Sequence, residues 1–109
     1  MDKQSYQIYI GLKDSETGVQ NFTTEKYLYV LKRICIAYKV AFSVQVLNGG
    51  YFHEDGRYTE ENSLRLELVD VGEEVVTEIA KDLCAFFNQE SVMVTSLTCK
   101  TFFVKEKLE

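Results

Sequence analysis

The sequence predicts an α+β fold of six elements in the order βαββαβ, with a four-stranded antiparallel sheet and both helices on one face. Three observations predict it. Four segments alternate apolar and polar residues with period two, two segments repeat apolar residues every three or four positions, and the six follow one another in that order. The 109 residues fit a single domain spanning 1–109, and a hydrophobic content of 46% supplies a core.

The first strand is read in "SYQIYIGL" (5–12), where Tyr6, Ile8, Ile10 and Leu12 share one face. Residues 13–21, "KDSETGVQN", form a loop of turn-forming types. Thr23 or Thr24 then offers an N-cap, and Glu25 suits the positive end of the helix dipole. Tyr27, Leu28, Leu31, Ile34, Cys35 and Tyr38 recur at helical spacing, which predicts a helix over 24–38. Residues 40–50 alternate again, with Phe42, Val44 and Val46 inward. Residues 48–62, with a Gly-Gly and an Asp-Gly turn pair, read as a long, decorated hairpin loop. "SLRLELV" (63–69) turns Leu64, Leu66 and Leu68 inward.

A second helix starts at Asp70 or Gly72, with Glu73 and Glu74 in its first turn and a buried stripe of Val75, Val76, Ile79, Leu83, Phe86 and Phe87. Residues 91–97 make the fourth strand, with Val92 and Val94 inward. Residues 97–104 extend that strand or fold back as a fifth edge piece, and 105–109 are a charged, fraying tail. This order is the ferredoxin-like arrangement. Its open sheet face carries Gln7, Tyr9, Ser43, Gln45, Arg65, Glu67, Met93 and Thr95.

Composition excludes several function classes. Net charge is −5, and in residues 54–90 acidic groups outnumber basic ones by 11 to 3. Without a dense Lys/Arg cluster there is no counterion release to drive phosphate-backbone binding, so nucleic acid is not an expected partner. Tyr9 alone, with no basic rim, makes a poor base-stacking platform. No apolar run reaches the roughly 18 residues of a membrane span, and residues 1–12 lack the features of a signal peptide, so the reading is cytosolic with no membrane partner. Cys35, Cys84 and Cys99 are odd in number and form no CxxC, which favours free thiols.

Topology brings three loops, 13–22, 48–62 and 88–91, to one end of the fold. Tyr51, His53, Glu54, Glu61, Gln89 and Glu90 should meet there. A carboxylate at Glu90 sits against the helix dipole at a cost of about 0.3–1 kcal/mol. Asn88 is read as a left-handed helix stop, with Arg57 and Tyr58 as donors that hold Glu90. His53, Glu54 and Asp55 lack metal-ligand spacing, and Ser63 and Ser91 lack a nucleophile elbow, so no metal, cofactor or serine nucleophile is expected. Arg65 and Glu67 read as an exposed ion pair.

The set Gly49-x-Tyr51, Asp55-Gly56, Glu61-x-Ser63 and Phe87-x-Gln89-Glu90-Ser91-Val92, after a strand ending in "YIGL", resembles a bacterial family of small domains of unknown function. That family's pattern is Gly-x-Trp, Asp-Gly, Glu-x-Ser and Phe-x-Gln-Glu-Ser-Val. Tyr51 stands where the pattern has Trp, and a Pro-Phe-Pro type segment is missing. The resemblance implies the fold and candidate residues but no reaction. The expected function is a non-catalytic binding or interaction module that uses the loop end 13–22, 48–62 and 88–91, with Tyr51, Arg57, Glu61, Gln89 and Glu90 as its candidate ligand or partner residues. The alternative is a small-molecule enzyme in which Glu61 or Glu90 is the acid/base. A homo-oligomer, most simply a dimer, is expected because open sheet faces and edges are usually covered.

Overall fold

A computed structural model describes residues 2–106. Its elements are β1 (Asp2–Gly11), α1 (Thr24–Tyr38), β2 (Ser43–Phe52), β3 (Tyr58–Val69), α2 (Glu73–Phe86) and β4 (Met93–Lys100). The sheet order is β2-β3-β1-β4, antiparallel throughout. This is the ferredoxin-like fold that the periodicities predict.

The core lies between the sheet and the helices. Ile8 and Ile10 of β1, Leu64, Leu66 and Leu68 of β3, Leu31 of α1, and Ile79 and Leu83 of α2 are fully buried. These are the alternating strand positions and the helical stripe, so period two and period 3.6 meet on one apolar layer. Phe87, just past α2, stacks on Tyr27 at 4.9 Å and closes the layer at one end.

Helix ends follow local chemistry. Thr23 caps α1, its Oγ1 accepting from the Lys26 amide at 3.2 Å. Thr23→Ala is expected to destabilise the protein by about 0.5–2 kcal/mol in urea denaturation, since it removes the side-chain acceptor that caps the first turn. Lys39, at φ 57, ends α1, and Asn88, at φ 50, follows the end of α2 in the left-handed region. Asn88 therefore is the stop expected of it, because Asn tolerates that conformation better than most residues.

Several expectations are corrected. Residues 48–62 are mostly strand: β2 runs on to Phe52 and β3 starts at Tyr58, leaving only 53–57 as the turn. Cross-strand pairing from Asn48↔Asn62 to Phe52↔Tyr58 overrides the Gly-rich composition. β3 has 12 residues, about 40 Å at ~3.3 Å each, and the molecule is elongated to 61 × 28 × 28 Å. β1 begins at Asp2, while β2 begins at Ser43 rather than residue 40. β4 extends to Lys100, and 101–106 form no further strand. Of the expected charged tail, 107–109 lie outside the described residues.

Three residues expected inside are exposed: Phe86 by 70%, Val46 by 49% and Val94 by 42%. Phe86 and Phe87 are about 100° apart around the helix axis, so only one can enter the core, and Phe87 takes that place. Val46 and Val94 lie on the two edge strands, at the limits of what the helices cover. Arg65 does not pair with Glu67. Its Nη2 donates to Oε1 of Gln45, the residue directly opposite on β2. A cross-strand partner at ~5 Å lies closer than a residue two along the same strand.

Candidate functional site

Alternation along the extended β2–β3 ribbon places Tyr51, Thr59 and Glu61 on the sheet face away from the helices. Glu61 is flanked by glycines. Gly49 is its direct partner on β2, and a Cβ added at Gly11 of β1 would come within 3.1 Å of Glu61 Oε2. Bare backbone at Gly11 thus gives the carboxylate room to lie over β1. Glu61 is half-buried and takes part in no ion pair among the described residues.

The turn at 53–57 positions two more groups. The His53 amide donates to the Arg57 carbonyl at 2.8 Å, and Gly56, at φ 88, supplies the left-handed residue. Asp55 accepts from the Arg57 amide and from its Nε at 2.7 Å, which aims the guanidinium. His53 packs against Tyr51 with centroids 5.0 Å apart and the rings tilted by 56°, and its Nε2 is 2.7 Å from Thr59 Oγ1.

Residues 13–19 form the facing wall. Asp14 Oδ1 accepts from the amides of Glu16 and Thr17, an Asx-type turn. This loop is tied to the end of α2: Asn88 Nδ2 donates to Asp14 Oδ2 at 2.8 Å, Ser15 N to the Asn88 carbonyl at 3.0 Å, and Gln89 Nε2 to the Lys13 carbonyl at 2.6 Å. Gln89 therefore ties the first loop to the second helix by bonding a backbone carbonyl.

The hydrogen bond from Asn88, followed by those from the Thr17 and Glu16 amides, holds the Asp14 carboxyl below its ordinary pKa. A depressed carboxyl stabilises the fold above its unfolded-state pKa and loses that contribution as pH falls through the folded-state value. Asn88→Ala should flatten this acid dependence, with thermal melts from pH 7 to pH 2.5 as the check; an unchanged profile would show that the Asn88 bond is not its source.

Between these walls lies a cleft of about 440 Å³ lined by Lys13, Asp14, Gly18, Tyr51, His53, Arg57, Thr59, Glu61 and Gln89. Four of the five candidate residues, Tyr51, Arg57, Glu61 and Gln89, meet there. Glu90 is exposed and does not line the cleft. Nor do its expected donors reach it. Arg57 is held by Asp55, and the Tyr58 hydroxyl donates to Glu60 Oε1 at 3.2 Å. Tyr58 is an even-numbered ribbon residue and so projects from the other face. Lys13, Asp14 and Thr59 were missed; the turn composition of 13–18 marks a loop but does not say which strand face it will overhang.

The fold and the cleft define a small ferredoxin-like α+β protein. No protein-family model matches the chain, and no curated protein sequence does. Among solved structures the chain is similar to a phage SAM lyase in complex with S-methyl-5'-thioadenosine, at TM-score 0.63 and 20% identity over 94% of this chain and 93% of that one. It is also similar to CutA from Synechococcus elongatus, at TM-score 0.58 and 13% identity over 90% and 77%. The B. subtilis GlnK–ATP complex matches at TM-score 0.56 and 16% identity over 88% and 82%. At these identities the likeness establishes the fold. Among the described residues no helix is long and apolar enough to cross a membrane.

Proposed function

We propose that this chain is a small-molecule enzyme that cleaves S-adenosylmethionine at the loop-end cleft, working as a homo-oligomer in the cytosol. The observation that carries the reading is the mixed charge of the cleft. Lys13 and Arg57 are cationic, Asp14 and Glu61 anionic, and Tyr51 and His53 supply a pair of rings in contact. S-adenosylmethionine needs such a mixture: a carboxylate, an ammonium, a sulfonium and an aromatic base. Its cations suit Glu61, Asp14 and the Tyr51 ring face, and its carboxylate suits Lys13 and Arg57. A cleft of about 440 Å³ falls within the roughly 300–1,000 Å³ of small-molecule sites. The whole-length likeness to a phage SAM lyase supports the same substrate, and three cysteines left as free thiols fit a reducing compartment.

In a lyase reaction the bond from sulfur to the amino-acid side chain breaks. Sulfur keeps the electron pair and becomes the neutral thioether of S-methyl-5'-thioadenosine. The four-carbon fragment is completed either by losing a proton to a base, for which Glu61 is placed, or by ring closure through its own carboxylate; these products differ in structure and are separated by NMR. Incubation of the purified protein with S-adenosylmethionine should yield S-methyl-5'-thioadenosine by liquid chromatography and mass spectrometry. No product above the buffer control would sink the reading.

A second reading, a non-catalytic binding module for an adenine nucleotide, is favoured by the likeness to a GlnK–ATP complex. Calorimetry separates the two: saturable ATP binding with no turnover of S-adenosylmethionine supports the module.

A further inference from the structure

We propose that copies of this chain join edge to edge, β2 of one against β4 of the next, and close into a ring. This does not depend on what the cleft binds. The order β2-β3-β1-β4 leaves one side of β2 and one side of β4 unpaired among the described residues. A free edge is a row of open backbone donors and acceptors, and proteins that keep such edges apart use charged residues, proline, bulges or a covering element.

β2 has no charged residue, and β4 carries one only at its last position, Lys100. β2 reads SVQVLNGGYF, and Met93–Cys99 of β4 reads MVTSLTC, with no charged residue or proline in either. Yet 27% of the whole chain is charged. The interior strand β3 carries Glu60, Glu61, Arg65 and Glu67, so charge is missing from the edges in particular. Cover is incomplete as well. Val46 on β2 and Val94 on β4 are exposed on the helix side, and Leu97 is 62% exposed on the other face. Phe102, Phe103 and Val104, just beyond β4, are also exposed.

The occupant is a second copy because each edge supplies what the other lacks. A two-fold pairing of β4 with β4 would leave every β2 bare, and pairing β2 with β2 would leave every β4 bare. β2 on β4 uses both edges of each copy through one repeated contact, whereas like-to-like pairing needs two different ones. Such a contact is heterologous, and it closes when the rotation between copies completes a turn.

Two variants test this. Val46→Lys places a charge on the β2 edge and Leu97→Lys on the β4 edge. Native mass spectrometry at micromolar concentration should find wild type as a discrete oligomer and each variant alone as a monomer. A mixture of the two should form a one-to-one dimer that grows no further, through β2 of the Leu97→Lys chain and β4 of the Val46→Lys chain. That recombination also shows that both variants are folded. Should either fail to fold by circular dichroism, Gln45→Lys on the opposite face of β2 and Thr95→Lys two residues before Leu97 on β4 repeat the test at the same edges. A monomeric wild type would overturn the proposal. So would dissociation by only one of the two variants, which means like-to-like pairing, or failure of the mixture to recombine.

Discussion

Replacing Glu61 by Gln is expected to lower the rate of S-adenosylmethionine cleavage by about 10²–10⁴-fold, the usual contribution of a positioned acid or base. The substitution keeps the size of the side chain and removes its charge. Glu61 is half-buried, lies over Gly11, and joins no ion pair among the described residues. No partner is stranded by the change, so the thermal midpoint should shift little. Product formation and a melt on the same preparation check this. A variant as active as wild type would remove Glu61 from the reaction, and one that has lost most of its stability would make the residue a structural tie instead.

Leu66→Ala is expected to produce the largest loss of stability, about 2–5 kcal/mol in urea denaturation, the range for emptying a fully buried leucine site. Leu66 is completely buried on β3, paired with Ile8 on one side and Val44 on the other. Typical domains have only about 5–15 kcal/mol to lose, so a large part of the population should unfold at moderate urea. A loss below ~1 kcal/mol would mean that helices and sheet close over the cavity more readily than a tightly packed core allows.

Burial of Cys35 works through the same layer. Removal from water pushes its thiol up to about 11, because the thiolate is the charged form. Cys35 therefore behaves as a small apolar core residue. It is not a nucleophile poised for chemistry.

Much of the fold was legible in the sequence because side-chain periodicity is a local property. Alternation in 5–12 and 63–69 and the stripe of 24–38 mark which face of each element is apolar, and burial followed them at Ile8, Ile10, Leu64, Leu66, Leu31 and Cys35. The helix stop at Asn88 was equally legible, since a left-handed φ is a property of one residue. Four of the five candidate site residues could be brought together from topology alone, because in this strand order the loop after β1, the β2–β3 ribbon and the end of α2 share one end of the molecule.

The rest required the tertiary structure, for a common physical reason: it depends on partners distant in the chain. Composition marked 48–62 as loop, but pairing of Gly49 with Glu61 and of Tyr51 with Thr59 makes it a ribbon and sets which of its residues face the cleft. Glu90 was separated from Gln89 by the bonds that anchor Asn88 and Gln89 to residues 13–15. Arg65 found Gln45 through a cross-strand distance that no single-strand pattern contains. The sequence by itself determined the elements and their buried faces, because hydrophobic periodicity acts residue by residue. Strand register, the edge positions of β2 and β4, and the enclosure of one cleft by three loops were decided only by tertiary packing, where a hydrogen bond or a covered surface needs both partners in place.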